Sequence, residues 1–294
     1  MKEFIESDLK DLYRPNSNSS KTENGQVTII GGSSLFHGAP IAALKVASRV
    51  VDMVFFSSPE PAVGEVASQL KSQLTSFIWV PWNEAEEYIK KSNAILIGPG
   101  FLRYHKEAGS GMPLQGKRDA GNNCDSACRL TKQITESLFE KFPDKQWVID
   151  AGSLQTMNVN SIPKEAILTP NKKEFRMLFG EYGEDEGIEG KVQEMAKKYN
   201  CIIVYKTPET IVCSPDECVL VKGGNAGLTK GNTGDVVAGL TAALAAQNEP
   251  FFAACAASWI VKKAADELYE KVGFAYNSED LILEIPEVLG KYFS

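Results

Sequence analysis

Between Gly223 and Gln247 the chain reads GGNAGLTKGNTGDVVAGLTAALAAQ. A loose polar segment ends in an acid and turns at once into an alanine-rich apolar helix pattern. Gly231, Asn232, Thr233 and Gly234 lead directly into Asp235. A helix start offers backbone N–H groups without intrahelical partners and the positive end of the helix dipole, which together hold an anion. Glycines let the backbone close around phosphate oxygens without a clashing side chain. Asp235 then falls beside the place of a phosphoryl group. A carboxylate there makes sense as a base that takes the proton of an attacking hydroxyl during phosphoryl transfer. The competing reading is a first-turn acid that only stabilises the helix dipole.

Other residues could serve the same chemistry. Lys206 follows CIIVY, Lys222 follows CVLVK, and Lys230 lies inside the glycine-rich loop. Each could pair with a phosphate, and each could equally be a solvated lysine. The stretch NKKEFRML (171–178) puts Glu174 and Arg176 in the first turns of a helix, with Thr169 or Asn171 as its cap. His37, between Phe36 and Gly38, reads as a structural hydrogen-bonder. Two motifs fail. GMPLQGKR (111–118) follows the P-loop spacing to Lys117 but has Arg118 where a Ser or Thr should stand, and no strand precedes it. GGSSLFHG lacks the G-x-G-x-x-G spacing, so a hydride-transfer site is unsupported.

The elements that must position these residues alternate along the chain. Apolar runs read as strands at 27–31, 53–58, 76–80, 94–98, 147–151, 166–169, 201–205, 210–213 and 218–222. Most are apolar throughout, as in parallel strands covered on both faces. Helices are expected at Ala39–Val51, Pro61–Gln73, Glu84–Lys91, Ser126–Lys141, Lys172–Phe179, Glu189–Tyr199, Asp235–Gln247 and Phe251–Leu268. This alternation reads as a doubly wound α/β domain. The last three strands are too close for helical crossovers and should form an antiparallel meander at one end of the sheet. Turns follow four strands, and the first three carry glycine: IIGGSSLFHGAP, LIGPG, VIDAGSL and ILTPNKKEF. Ligands of open α/β sheets bind outside the carboxyl ends of the strands, so the four turns are expected to line one cleft.

Residues 1–25 read as a polar arm, with the ordered body beginning at Gln26 and running to 294. The stretch 101–127 reads as a long surface loop. The chain has 294 residues, 43% hydrophobic and 23% charged, and a net charge of −7. That balance excludes a general nucleic-acid binder, which needs a basic surface. No secretory signal and no apolar run of membrane-spanning length is present, so a cytoplasmic protein is the expectation. Six cysteines without a CxxC pair read as free thiols in a reducing compartment, and a zinc site lacks its second half.

In order, these motifs resemble the NAD(P)H-hydrate dehydratase family of the ribokinase-like superfamily. The resemblance begins at LYRP and runs through VTIIGGSSLFHGAP, AILIGPG, VIDAGSL, ILTPNKKEF, IIVYKTPETIVCSP and GNTGDVVAGLTAALAAQ. It implies a ribokinase-like three-layer sandwich with a mostly parallel central sheet. It also implies cofactor repair: ADP or ATP phosphorylates the hydroxyl of an NADH or NADPH hydrate, and loss of phosphate restores the ring, with Mg²⁺ on the nucleotide phosphates. Ala39, Gly100, Asn171 with Glu174 in the following KKEF, and Asp235 are the implied substrate contacts, Asp235 being the base. Lys206, Thr207, Pro208, Glu209 and Thr210, with Gly231, Asn232, Thr233 and Gly234, are the implied nucleotide segments. Homo-oligomers and pairing with an NAD(P)H-hydrate epimerase are the partner relations it admits. The chain departs from the family at Asn171, where many bacterial relatives have histidine, at Thr207 and Pro208, and at Asn232, where a second glycine is usual. A kinase for a vitamin precursor or sugar, and a non-catalytic nucleotide-binding module, are the alternatives.

Overall fold

The computed structural model describes residues 1–102, 126–181 and 187–293. The loop expected over 101–127 therefore lies almost wholly outside the described residues, as does the rejected P-loop stretch.

Ten strands form one sheet. They are β1 (Lys2–Glu3), β2 (Gln26–Ile30), β3 (Met53–Ser57), β4 (Ile78–Trp79), β5 (Ala94–Ile97), β6 (Gln146–Ile149), β7 (Ile167–Leu168), β8 (Ile202–Tyr205), β9 (Thr210–Cys213) and β10 (Cys218–Val221). Their spatial order is β1-β10-β9-β8-β7-β6-β5-β2-β3-β4. Pairs from β4 through β8 are parallel, and β9 runs antiparallel to both β8 and β10. The expected meander is thus present.

The apolar strands supply two cores by alternation. Val27, Ile29, Leu96, Val148, Ile167 and Val204 face one core, while Ile30, Ile97, Ile149, Leu168 and Ile203 face the other. A strand with water on one face would need polar residues at every second position. On the first face lie α1 (Gly38–Ala47), α2 (Pro61–Leu70), α8 (Thr233–Ala245), α9 (Pro250–Val272) and α10 (Ser278–Phe293). On the second lie α3 (Ala85–Lys91), α4 (Ser126–Lys141), α5 (Ala151–Thr156), α6 (Lys172–Phe179) and α7 (Ile188–Tyr199). No helix among the described residues is long and apolar enough to cross a membrane.

Three features differ from the sequence reading. The segment before Gln26 is tied down: β1 pairs with β10, and Phe4, Leu9 and Leu12 are buried in the first core. Its polar composition hid three apolar anchors. Helix α10 was not expected, because Pro286 interrupts its pattern, yet Leu281, Ile282, Ile285, Val288 and Leu289 bury one face. The cysteines are not all free thiols. Cys213 and Cys218 stand opposite each other across β9 and β10 and are joined by a disulfide, and Cys128 is disulfide-bonded too, whereas Cys201 and Cys255 are free and buried. The register brings the Cys213 and Cys218 Cα atoms to 4.1 Å, a neighbour relation that no sequence spacing displays.

Helix α8, which carries Asp235, is seated by small residues. A Cβ on Gly239 would lie 2.6 Å from the Cα and carbonyl oxygen of Ala43 in α1. Gly239→Ala must therefore push two backbones apart. We expect a loss of about 1–3 kcal/mol, typical of overpacking, read as a lower melting temperature. An unchanged melting temperature would mean that the helices are not in contact there.

Candidate active site

The four turns and the start of α8 meet at the carboxyl ends of the central strands. The N–H of Gly32, after β2, donates to the Pro99 carbonyl after β5 at 2.8 Å, and the N–H of Gly152 donates to Gly98 at 3.2 Å. Contact at this edge is close enough to exclude side chains. Gly98 has φ +114°, and a Cβ there would lie 1.9 Å from the Asp150 carbonyl oxygen. Gly100, at φ +74°, would put its Cβ 2.2 Å from the Phe36 carbonyl oxygen. Only glycine meets both conditions at these positions. Gly100 and the half-buried Ala39 thereby come to the same wall of the cleft, close to Gly38, which lies against the Asn232 side chain.

The floor is a charge cluster centred on Asp150. This residue stands at the N-terminus of α5 and is 2% exposed. Its Oδ1 accepts from Lys206 Nζ at 2.9 Å and from Thr169 Oγ1 at 2.8 Å. Lys206 leaves β8 and pairs with Asn171 in an isolated parallel bridge. Burial works against its charge, but Asp150, Glu174 and Asp235 around it outweigh burial and hold the ammonium above the usual lysine range. The same ammonium lies near the first turn of α8: a Cβ on Gly234 would sit 3.3 Å from Nζ. Lys206 is thus a fixed cation at the anion-facing end of a helix.

Asp235 is half-buried in that first turn. Burial pushes its carboxyl up, the Asp150 carboxylate pushes it further, and Lys206 pulls it partly back; the result is about 7. A carboxylate that accepts protons near neutrality is suited to general base catalysis. A dipole-stabilising acid on an exposed first turn would have no cause to rise, so the environment favours the base reading over the alternative. Asn232 precedes the helix at φ +67° and makes no side-chain cap. Asparagine tolerates the left-handed conformation that the usual glycine would adopt here. The N–H of Thr233 donates to the Lys230 carbonyl at 3.4 Å, and no side-chain cap covers the N–H groups that follow it.

The other expected residues occupy differing positions in the structure. Asn171 Oδ1 accepts from the N–H groups of Lys173 (2.9 Å) and Glu174 (3.0 Å), and Glu174 Oε2 accepts from Asn171 N–H at 2.9 Å. This is a capping box at the start of α6. Glu174 Oε1 takes a further hydrogen bond from Gln155 at 2.8 Å. The pair therefore holds its own turn, and the amide nitrogen of Asn171 is its group left for the cleft. Thr207 and Thr210 close the 206–210 turn on itself, through Thr207 Oγ1 to the Glu209 carbonyl and Thr210 Oγ1 to the Thr207 carbonyl. Pro208, Glu209, Gly231 and Asn232 are exposed at the rim. Thr233 is buried, its hydroxyl shared between the Leu228 and Lys230 carbonyls, so it shapes the loop from behind. Lys222 pairs with Glu3 at 2.7 Å, and Lys230 donates to the carbonyls of Phe274 and Tyr276, so each has partners of its own.

Asp150 was missed in the sequence. Its signal is VIDAGSL, where an acid ends an apolar strand.

Comparison with known proteins agrees with this architecture. The family model for NAD(P)H-hydrate dehydratase matches residues 27–287. The chain is 32% identical over 295 residues to the bifunctional NAD(P)H-hydrate repair enzyme Nnr of Methanocaldococcus jannaschii, a match covering 96% of this chain and 51% of that protein. It is 28% identical over 295 residues to the ADP-dependent (S)-NAD(P)H-hydrate dehydratase of Cenarchaeum symbiosum, covering 98% and 94%. The chain thus spans about half the length of the bifunctional relatives. The Bacillus subtilis ADP/ATP-dependent NAD(P)H-hydrate dehydratase, crystallised with ATP and Mg²⁺, superposes with a TM-score of 0.75 at 20% identity, covering 99% of this chain and 98% of that one. At that identity the likeness carries the fold, which is the ribokinase-like sandwich expected.

Proposed function

The chain belongs to the NAD(P)H-hydrate dehydratase family, and from that premise we propose that it repairs hydrated NADH and NADPH with ADP or ATP as phosphoryl donor. The observation that carries this reading is Asp235, half-buried in the first turn of α8 with its carboxyl raised to about 7, beside the buried Lys206–Asp150 pair.

A hydroxyl is a poor leaving group and phosphate is a good one. Asp235 takes the proton of the hydrate hydroxyl as its oxygen attacks the terminal phosphorus of the nucleotide. Lys206 and the N–H groups at the start of α8 stabilise the charge that develops on the transferred group. The carbon–oxygen bond of the phosphorylated ring then breaks, phosphate departs, a proton leaves the adjacent carbon, and the ring double bond returns. One nucleotide is consumed and one phosphate released per cofactor restored. Mg²⁺ would supply charge neutralisation on the nucleotide phosphates. Asp150 Oδ1 is engaged by Lys206 and Thr169 and Glu174 by Gln155 and Asn171, and among the described residues no group of three or more His, Cys, Asp or Glu is placed to hold a metal ion. This suits a cation that arrives with the phosphates and keeps its waters better than one in an all-protein cage.

The cytoplasm is the compartment in which we place the reaction, and an NAD(P)H-hydrate epimerase is the partner that would feed it. The bifunctional relatives, about twice as long, support such pairing. Homo-oligomers are a further expectation.

The experiment measures inorganic phosphate after mixing NADH hydrate with ADP or ATP. Phosphate should appear in step with nucleotide consumed. Phosphate retained on the organic product would instead favour a small-molecule kinase. The pH profile follows from the raised carboxyl of Asp235. The base acts only when ionised, so kcat/KM should climb as pH rises through about 7 and fall about tenfold per unit below it. A profile flat from pH about 5 to about 8 would argue against a base at this position.

A further inference from the structure

Lys262 is 5% exposed on the inner face of α9. An ammonium has three donors and no acceptor, so burial at this depth demands partners. Its partners are two main-chain carbonyls from separate loops: Nζ donates to Pro208 at 2.5 Å and to Gly223 at 3.0 Å. Pro208 belongs to the turn between β8 and β9, which begins at Lys206. Gly223 follows β10 and opens the loop that runs into α8. One helical turn further along α9, Asp266 Oδ2 accepts from the N–H of Gly224 at 2.9 Å, and the Ala265 carbonyl accepts from Asn225 Nδ2 at 2.8 Å. One face of α9 thus grips the glycine loop, and Lys262 reaches across to the 206–210 turn as well.

We infer that Lys262 is a positioning residue for the nucleotide: its buried ammonium ties the 206–210 turn to the loop that opens at Gly223 and fixes the spacing between them. The inference rests on the nucleotide reading of these two segments. A hydrophobic side chain would fill the same space without the cost of desolvating a charge. What it could not do is hold two carbonyls from different loops at once. The charged groups facing Lys262 are Asp266 from its own helix and Glu209 from the turn. Burial outweighs both and pushes the ammonium down to about 8. Above that pH the hydrogen bonds lose their charge assistance and the clamp loosens.

Lys262→Met keeps the stem and removes the donors. In the unliganded protein, amide hydrogen exchange at 206–210 and at 223–225 should accelerate together by about tenfold, the loss of one charge-assisted hydrogen bond. Calorimetry with ADP should give a Kd raised by about tenfold, with hydrate binding changed less than about twofold, and Lys262→Arg should recover part of the loss. Wild-type affinity for ADP should fall between pH about 7.5 and about 9.5, a fall absent from the Met variant. Unchanged exchange at either segment, or wild-type ADP affinity flat across that range, overturns the inference. The wild-type pH series decides the matter if the Met variant does not fold. Should the wild type bind neither ADP nor ATP, the functional reading fails, while the exchange measurement still decides whether the clamp exists.

Discussion

Asp235→Asn is expected to lower kcat by about 10²–10⁴-fold, the span over which a positioned general base contributes. Asparagine keeps the size and hydrogen-bonding shape of aspartate but cannot take a proton. The nucleotide segments, at 206–210 and at the N–H groups of α8, are left in place, so ADP affinity should stay within a few-fold of wild type. The variant should also be more stable than wild type at pH above about 7. The sign follows from the carboxyl, raised from 3.8 to about 7 by burial and by the Asp150 carboxylate. A raised folded-state pKa means that the native protein binds the proton more tightly than the unfolded chain. Its contribution to stability is full below about pH 4 and is lost as pH rises through about 7. Asparagine is never charged and escapes that loss. Lower turnover with a higher melting temperature at pH 8 is the signature of a site that spends stability on chemistry. Near-normal turnover would remove the base assignment.

Lys206→Met has the second large effect, and it acts on several quantities at once. Asp150 has only 3% of its side chain exposed, and Lys206 is its ion-pair partner at 2.9 Å. Removing the cation leaves a buried carboxylate that keeps, among the described residues, the hydrogen bond from Thr169. Breaking a buried pair in this way costs about 3–5 kcal/mol. Nucleotide affinity should fall more than hydrate affinity, because Lys206 is the cation at the anion-facing start of α8. Asp235 also loses the neighbour that pulls its carboxyl down, so the acid limb of kcat/KM should move to higher pH. The double variant Lys206→Met with Asp150→Asn should regain much of the stability but not the nucleotide affinity. Equal losses of nucleotide and hydrate binding would mean that the 206–210 segment does not serve the nucleotide.

The sequence made the site's outline readable because its signals are local. The glycine loop before Asp235, the turns after the strands and the run of doubly buried strands all express themselves within a few residues. What stayed hidden depends on pairs far apart in the chain. The partnership of Asp150 with Lys206 spans 56 positions, and that of Lys262 with Pro208 spans 54. Neither acid nor lysine announces a partner by its spacing. Asn171 and Glu174 show the opposite limit. Their separation of three residues fits a substrate contact and a capping box alike, and the hydrogen bonds at 2.9–3.0 Å reveal the box. The disulfide between Cys213 and Cys218 and the anchoring of residues 1–25 were obscured for a related reason: both follow from strand register at β10, which composition does not encode.

The central claim is that phosphoryl transfer at Asp235 restores a reduced nicotinamide ring. It is tested most directly by following the reduced-nicotinamide absorbance band after purified protein meets NADH hydrate, Mg²⁺ and either ADP or ATP. The account predicts a rise that depends on nucleotide, identifies the donor by which nucleotide supports it, and disappears in Asp235→Asn. Folded protein that binds nucleotide yet gives no rise with either donor on fresh hydrate would contradict it.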